Sequence, residues 1–385
     1  MLDKWYVRGL LLPIKNMYCK KVNVKDFRNI CSEEIEFCDG VNVISGENAQ
    51  GKTNLLEAIY YISVGKSFRA TQNSEIIRFG ADRSVVDLKF DDGIREQNIK
   101  MTIFKEKKRQ AEKNGVKIDK LSDIVGSFRT VLFCPEHLSL VKEGPALRRN
   151  YLDIAISRIR PMYLHSLQKY NYILKQRNQL IKNALTDRKT FDDTVDLWSE
   201  QLAHEAAIIS KFRADFIKQV DSHVKTCFFD MSNQREIPEI SYVGSSKLDP
   251  CEYYDVSASE KKYIELLSSN HDREIYAGTT LYGAHKDDMN VLLNGKPARF
   301  FSSQGQQRSI SIALKLAEGE ICYSEFSDYP VFLFDDVLSE LDSKRRDYLI
   351  NRIKNKQVIM TSCDKNEIRE AKTIKVVDGK YISEE

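Results

Sequence analysis

Residues 41–63 read VNVISGENAQGKTNLLEAIYYIS, and this stretch decides the fold of the chain. Alternating apolar residues from Val41 predict a strand, a G-x-x-x-x-G-K-T pattern begins at Gly46, and the run behind it predicts an amphipathic helix. A phosphate-binding loop requires this order of strand, glycine loop and helix. The stretch therefore predicts a nucleotide site, and a chance match in a glycine-rich turn is the alternative.

The residue types of this loop suit the phosphates of a nucleotide. Gly46 and Gly51 let the backbone wrap closely around the phosphates, Lys52 reaches the β- and γ-phosphates, and the Thr53 hydroxyl can ligate Mg²⁺. The candidate ATP contacts in the loop are Gly46, Glu47, Asn48, Ala49, Gln50, Gly51, Lys52, Thr53 and Asn54.

A second acidic element lies downstream, where residues 330–342 read PVFLFDDVLSELD. The continuous apolar run Val331 to Phe334 predicts a strand that is buried on both faces of a parallel sheet. At its end, Asp335 would hold Mg²⁺ and Asp336 would orient the attacking water or accept its proton. The candidate catalytic residues are thus Lys52, Asp335 and Asp336, with Thr53 and Asp335 as metal ligands. A strand-end turn with solvated aspartates is the alternative.

A third stretch, SQGQQRS at residues 303–309, precedes an apolar run with helical spacing. Helix starts leave backbone N–H groups unpaired and carry partial positive charge, so a small, donor-rich start suits an anion. The residues alone do not say which anion.

Composition limits the function classes. The chain has 385 residues, which suggests two or three lobes, and its mean hydropathy of −0.44 indicates a soluble globular protein. The net charge is only +3, so a nucleic-acid partner would need a local basic patch. Eight scattered cysteines without a C-x-x-C pair argue against a disulfide framework and a zinc site. We expect a cytoplasmic protein, with neither a membrane span nor a secretion signal in VRGLLLPI at residues 7–14.

The middle of the chain predicts a helical hairpin. Apolar residues recur with helical spacing in residues 162–185 and again in residues 195–229, which would pair across residues 186–194. Pro161 would start or kink the first helix. Most of these apolar positions are read as ordinary helical core.

Two basic stretches are candidate DNA contacts. In residues 104–120, Asn114-Gly115 predicts a tight hairpin turn, and the cations Lys105, Lys107, Lys108, Arg109, Lys113 and Lys117 could contact phosphates. The alternative is a charged edge that deters strand aggregation. Arg148 and Arg149 form the second stretch at a predicted helix start, where like charge opposes the helix dipole and an anionic partner is expected. An intramolecular ion pair is the alternative there.

The order of these elements resembles that of the ABC-type ATPases, whose signature helix binds the γ-phosphate of ATP held by a second molecule. On this resemblance the in-trans signature residues are Ser303, Gln304, Gly305 and Gln306, and Ser339 to Asp342 match the D-loop at the dimer seam. Thr361 and Ser362 stand where transporter ATPases place a switch histidine. The anion at SQGQQRS would then be the ATP of a partner chain.

Further motifs resemble the RecF family of bacterial recombination-repair proteins from Met17 onward. They are DFRN (26–29), GKSFR (65–69), FCPEHLSLVKEGPALRRNYLD (133–153), GAHKDD (283–288) and SQGQQRSISIALKLAE (303–318). The family's usual G-P-H-R-D-D is changed at Ala284 and Lys286. The resemblance adds Arg28 and Asn29 to the candidate ATP contacts, and residues 1–16 precede the family's usual start.

The resemblance implies an α/β fold: an ABC-type P-loop ATPase head, with a mixed sheet and flanking helices, plus a mainly helical arm. The expected divisions are a head in residues 17–135 and 276–385 and an arm in residues 136–275. It also implies ATP and Mg²⁺ as cofactors, an ATP-dependent homodimer that clamps duplex DNA near single-strand gaps, and slow, DNA-stimulated hydrolysis. RecR and RecO would be partners in loading RecA, with no membrane involved.

Two other function classes are alternatives. An ABC transporter ATPase is disfavoured by the helical arm and by the absent switch histidine. A hydrolysis-dead scaffold is disfavoured because Lys52, Thr53, Asp335 and Asp336 are all intact.

Overall fold

The computed structural model describes residues 16–232, 236–362 and 371–384. Apart from Asn16, residues 1–16, which precede the family's usual start, lie outside this range, as does Cys363. Residue contacts divide the chain into two compact units. The first unit contains residues 1–138 and 318–385, and the second contains residues 139–317.

The strands of the described residues follow in chain order. They are β1 (Tyr18–Phe27), β2 (Ile30–Glu36), β3 (Val41–Ser45), β4 (Arg83–Asp91), β5 (Glu96–Phe104), β6 (Gln110–Lys113), β7 (Val116–Ile118), β8 (Thr130–Phe133), β9 (Pro238–Val243), β10 (Asp288–Leu293), β11 (Lys296–Pro297), β12 (Val331–Phe334), β13 (Val358–Ser362), β14 (Lys372–Val377) and β15 (Lys380–Glu384).

The α-helices of the same residues are α1 (Lys52–Val64), α2 (Pro145–Ile159), α3 (Pro161–Asn183), α4 (Arg188–Met231), α5 (Val256–Ser268), α6 (His271–Ala277), α7 (Ala298–Phe301), α8 (Gln304–Phe326) and α9 (Ser343–Ile353). None of these helices is both long and apolar enough to cross a membrane.

The described residues of the first unit form two six-stranded sheets. One has the order β15-β14-β3-β13-β12-β8, in which only β15 is antiparallel to its neighbour. The predicted strand β12 is fully buried between β8 and β13, and β3 leads through the glycine loop into α1, so both predictions are confirmed. Because parallel strands end at the same edge of a sheet, the loop after β3 and the aspartates after β12 lie together.

The second sheet of this unit is antiparallel, with the order β2-β1-β4-β5-β6-β7. Its β6–β7 connection is the predicted hairpin turn, because Lys113 pairs with Val116 across Asn114 and Gly115. Both turn residues are left-handed, with φ of 52° and 77°, as the twist of a two-residue hairpin favours. Apolar side chains from both sheets and from α1 share one core.

The second unit contains the predicted helical hairpin, in which α3 packs against α4. Pro161 is the first residue of α3, as predicted. Helix α4 begins at Arg188, within the stretch predicted as the connection, because the Asp187 side chain accepts a hydrogen bond from the Thr190 N–H at 3.1 Å and caps the helix.

Residues 276–317 belong to the second unit, although the sequence placed them in the head. Two features hold them there. Strand β10 pairs with β9 in the three-stranded sheet β11-β10-β9. The buried guanidinium of Arg213 on α4 donates to the Ala284 carbonyl at 2.6 Å and lies 3.4 Å from the Asp287 carboxylate. Neither contact has a local sequence signal.

His285 of the GAHKDD turn is held as a neutral ring. Its Nε2 donates to the Thr280 carbonyl at 3.1 Å and its Nδ1 accepts from the Tyr170 hydroxyl at 2.6 Å. Burial lowers the His285 pKa to about 4, and the cations of Lys286 and Arg149 act in the same direction. The turn therefore has a structural use, since the ring ties it to α3.

This lowered pKa predicts a pH-dependent stability. Because the folded-state value lies below the ordinary 6.5, the stabilisation is present above pH 6.5 and is lost as the pH falls toward 4. We expect about 3 kcal/mol of unfolding free energy to be lost over this window. Denaturant unfolding of the parent and His285→Gln from pH 7 to 4 measures it: the parent should show the steeper loss, and parallel pH curves would contradict the assignment.

Candidate nucleotide site

The glycines of the phosphate loop are required by their surroundings. Gly51 has a φ of 115°, and a Cβ there would lie 2.8 Å from the Asn29 side chain. At Gly46 a Cβ would lie 2.6 Å from the Val376 carbonyl oxygen of β14. Both positions exclude a side chain even before a nucleotide is considered, and the loop ends at the N-terminus of α1, where an anion is favoured.

The candidate metal ligands lie together beside the loop. The Thr53 hydroxyl donates to the Asp335 carboxylate at 2.7 Å, and the Thr361 hydroxyl donates to the same oxygen at 3.2 Å. Burial raises the pKa of Asp335, while the hydrogen bonds from both threonines lower it. The Lys52 ammonium is buried and donates to the Gly46 carbonyl at 2.5 Å, across the loop that would hold the phosphates.

Asp336 is held in an unusual backbone conformation beside these groups. Its φ is 52°, its N–H donates to the Thr361 hydroxyl at 2.9 Å, and its carboxylate accepts from the Ser339 hydroxyl at 3.0 Å. Thr361 therefore bridges the two aspartates. Ser339 fixes the Asp336 side chain, and Asp342 caps α9 by accepting from the Arg345 N–H at 3.0 Å.

Arg28 and Asn29 have different hydrogen-bond partners next to the loop. Asn29 donates to the Gln50 carbonyl at 3.1 Å and accepts from the Asn54 side chain at 2.7 Å. The Arg28 guanidinium instead binds both oxygens of the fully buried Glu57 carboxylate, at 2.7 and 2.9 Å.

The GKSFR motif completes this network. Ser67 donates to the Glu57 carboxylate and accepts from the N–H groups of Arg69 and Ala70. The Arg69 guanidinium donates to the Asn54 side chain at 3.1 Å and lowers the pKa of Asp335 by its charge. DFRN and GKSFR are thus joined through one buried carboxylate of α1, and Arg69 brings a half-exposed cation to the site.

The C-terminal hairpin also supports the loop, and sequence reasoning missed it. In its turn, the Asp378 N–H donates to the Gln50 side chain at 2.6 Å, and the Gly379 N–H donates to the Gln50 carbonyl at 3.1 Å. The Tyr381 hydroxyl donates to the Gly51 carbonyl at 2.9 Å. The dipeptide Asp378-Gly379 is typical of a hairpin turn, but no local sequence pattern indicates that this turn packs against the phosphate loop.

The signature segment starts α8 in the second unit with a capping box. The Ser303 hydroxyl accepts from the Gln306 N–H at 3.2 Å, and the Gln306 side chain accepts from the Ser303 N–H at 2.6 Å. The Gln306 amide also donates to Glu236. Ser303 and Gln304 are exposed and Gly305 is half-buried, whereas the Gln306 side chain is committed within its own chain.

Oxygen donors of this kind fit Mg²⁺, which prefers carboxylate, hydroxyl and phosphate ligands. Thr53 and Asp335 supply a hydroxyl and a carboxylate within one hydrogen-bond length, at the mouth of a phosphate loop. When bound, the ion would neutralise charge on the phosphates. The donor set thus agrees with the sequence-based metal assignment.

The candidate DNA cations differ in availability. Lys105, Lys107, Lys108 and Lys117 are exposed. Lys113 donates to the Ser127 hydroxyl at 2.9 Å, and Arg109 donates to the Tyr61 hydroxyl at 2.8 Å, with its guanidinium carbon 5.8 Å from the centre of that ring.

In the second basic stretch, the structure shows an intramolecular ion pair, which was the alternative to a DNA contact. Buried Arg148 binds both oxygens of Asp288 at 2.7 and 2.8 Å, and it also donates to the carbonyls of Leu140 and Glu143. Four of its five N–H donors are thereby used within the chain, which favours the ion-pair alternative over a DNA contact. Arg149 donates to the Asp287 carbonyl at 2.9 Å.

Comparisons with known proteins find relatives of the chain over nearly its whole length. The model of the RecF/RecN/SMC N terminal domain matches residues 18–381. The chain is 38% identical over 368 residues to the DNA replication and repair protein RecF of Thermoanaerobacter sp. strain X514, covering 96% of this chain and 100% of that protein.

Two solved structures, both 34% identical, share the fold. The recombination mediator protein RecF-ATPrS in the RecFOR pathway superposes with a TM-score of 0.91, covering 96% of this chain and 98% of that one. The corresponding RecF-ATP structure gives a TM-score of 0.87, covering 96% and 99%.

Fold and site together define an ATPase head of the ABC type, with a phosphate loop and an acidic strand end on one parallel sheet. Within that class, the chain belongs to the RecF family of DNA replication and repair proteins.

Proposed function

We propose that the chain is a weak, DNA-stimulated ATPase whose nucleotide state controls a clamp on duplex DNA near single-strand gaps. The main support for ATP hydrolysis is a set of hydrogen bonds that joins both acidic residues to the phosphate loop. It links Thr53, Asp335, Thr361 and Asp336. Lys52 would bind the β- and γ-phosphates, and Thr53 and Asp335 would hold Mg²⁺.

Asp336 would accept the proton of the attacking water. Its left-handed backbone and the Ser339 hydrogen bond fix the carboxylate in place, so little reorganisation is needed at the reacting atoms. Thr361, which touches both aspartates, would stand in for the missing switch histidine as the sensor of the γ-phosphate. An aspartate is one methylene shorter than the glutamate of many ABC-type ATPases, and slow turnover is expected.

The ATP would be shared between two chains. Ser303 and Gln304 are exposed at the start of the 23-residue helix α8, which leaves this helix start available to a partner's γ-phosphate. Two-fold symmetry then gives two ATP molecules per dimer, with the D-loop residues Ser339 and Asp342 at the seam. Hydrolysis would remove both γ-phosphates and open the clamp.

The protein partners of the chain are proposed from its similarity to its relatives. The similar solved structures are described as a recombination mediator in the RecFOR pathway. By this similarity we propose RecR and RecO as partners of the chain, and loading of RecA as the shared task. Sedimentation of the purified chain with RecR, with and without Mg-ATP and gapped DNA, tests the partnership: a joint species is expected, and independent sedimentation under every condition would contradict it.

DNA binding is predicted to be independent of sequence and sensitive to salt. Lys107 and Lys108 are exposed on the connection between β5 and β6, so reversing both to Glu should weaken binding about equally for DNA of different sequences. The slope of log affinity against log salt should also become less steep. Fluorescence anisotropy measures both quantities, and Lys261→Glu, at an exposed position of α5, is the matched control. Unchanged affinity in the double variant would place the DNA site elsewhere.

A further inference from the structure

A groove of about 940 Å³ lies at one end of the antiparallel sheet in the first unit. It forms where β1 ends, β4 begins and β5 ends, since Lys25 pairs with Val85 and Arg83 pairs with Phe104 in the neighbouring registers. The segment between α1 and β4 forms another wall and carries Phe79. The sequence motifs single out GKSFR (65–69) in this segment but not the part of it that lines the groove, residues 78–82.

Phe79 is the unusual side chain of this groove. It is fully exposed, at 102% of its reference area, although the same sheet buries a large apolar core. Gly80 follows it with a left-handed φ of 85°, which turns the chain so that the ring stands away from the core. Single exposed apolar residues are common on protein surfaces, so exposure alone does not indicate that Phe79 binds a ligand. The charged residues around Phe79 supply the further evidence.

The groove around Phe79 is basic. Five cations line it, Lys25, Arg78, Arg83, Lys105 and Lys107, against three carboxylates, Asp26, Asp82 and Glu106. Arg78 lies 3.8 Å from Asp26 and forms the one ion pair seen among these lining residues in the described part of the chain. The other four cations face the groove or its rim without a carboxylate partner among the described residues, which favours a polyanion.

We propose that this groove binds the unpaired strand of a gapped DNA, with a base stacked on Phe79 and the phosphates held by Lys25, Arg83 and Lys105. An aromatic ring in a basic groove is the usual arrangement for single strands, because every base has a face on which to stack. In a continuous duplex the bases are already stacked on each other and leave none for Phe79. The inference rests on the proposed DNA binding and adds a residue that distinguishes gapped from continuous DNA.

The test compares two DNAs of equal length, one a continuous duplex and one with a short single-stranded gap. Phe79→Ala should weaken binding of gapped DNA by about five- to a hundredfold, as the loss of one stacked base predicts, and leave the continuous duplex unchanged. Tyr276→Ala is the matched control, because Tyr276 is also fully exposed, at 96%, but lies in the second unit outside the groove. It should change neither affinity.

Two further variants separate stacking from simple apolar contact. Phe79→Trp should keep the preference for gapped DNA, and Phe79→Leu should lose it as Phe79→Ala does. The inference would be overturned if Phe79→Leu or Phe79→Ala kept the full preference for gapped DNA. An equal loss of affinity for both DNAs would overturn it as well. If the unmodified chain binds neither DNA, the proposed function itself fails, an outcome distinct from intact binding by the variants.

Discussion

Replacing Asp336 by asparagine is expected to slow ATP hydrolysis by about 10²- to 10⁴-fold while ATP binding is kept. The amide can still hold the water but cannot accept its proton. Because the main-chain N–H of Asp336 is bound by Thr361 and its side chain by Ser339, the substitution leaves the neighbouring geometry in place. Single-turnover hydrolysis and equilibrium binding of a fluorescent ATP analogue measure the two effects separately.

The neighbouring aspartate provides the matched control. Asp335→Asn removes a charged oxygen from the Thr53 and Thr361 hydroxyls, so it should weaken the Mg²⁺-dependent part of ATP binding itself. The two isosteric changes, one residue apart, should therefore give different phenotypes. Rapid hydrolysis by Asp336→Asn would remove Asp336 from the role of base.

Replacing Ser303 by arginine is expected to abolish the ATP-dependent dimer while each monomer still binds ATP. If each γ-phosphate gains about 2 kcal/mol from the signature helix of the partner, two sites contribute about 4 kcal/mol, or roughly a thousandfold in dimer stability. Ser303→Arg fills the helix start with a long side chain and also loses the cap on the Gln306 N–H. Light scattering with and without Mg-ATP gives the masses.

Two variants separate the loss of the dimer from the loss of the helix cap. Ser303→Asp keeps a capping oxygen but places negative charge against the incoming γ-phosphate, so it should melt like the parent and remain monomeric. Ser303→Thr keeps the hydroxyl and should dimerise. A dimer of Ser303→Asp as stable as that of the parent would mean that SQGQQRS does not meet a partner's ATP.

Local features of the fold could be predicted from sequence. The phosphate loop was predicted because its strand, glycines and helix are contiguous, and the Asn114-Gly115 turn because a two-residue hairpin demands left-handed residues. The buried strand after Pro330 was visible as an uninterrupted apolar run. In each case the physical constraint acts over a few residues.

Distant contacts could not be predicted in this way. The Asp378 N–H meets Gln50 across 328 positions of the chain, and nothing near either residue encodes the pairing. The need for an anion beside Arg148 followed from the helix dipole, but its identity as Asp288 depends on how β10 packs. The same packing explains why residues 276–317 belong to the second unit and not to the head, where they were expected.

Complementation between two defective chains tests the sharing of ATP most directly. Lys52→Ala should lose ATP binding and Ser303→Arg should lose the signature contact, so each variant alone should be nearly inactive. A mixed dimer combines the intact phosphate loop of the second variant with the intact signature of the first. Random pairing at equal concentrations would place about one quarter of all sites in this complete form. We predict that the mixture hydrolyses ATP well above the summed rates of its two components, whereas a rate equal to that sum would contradict a site built from two chains.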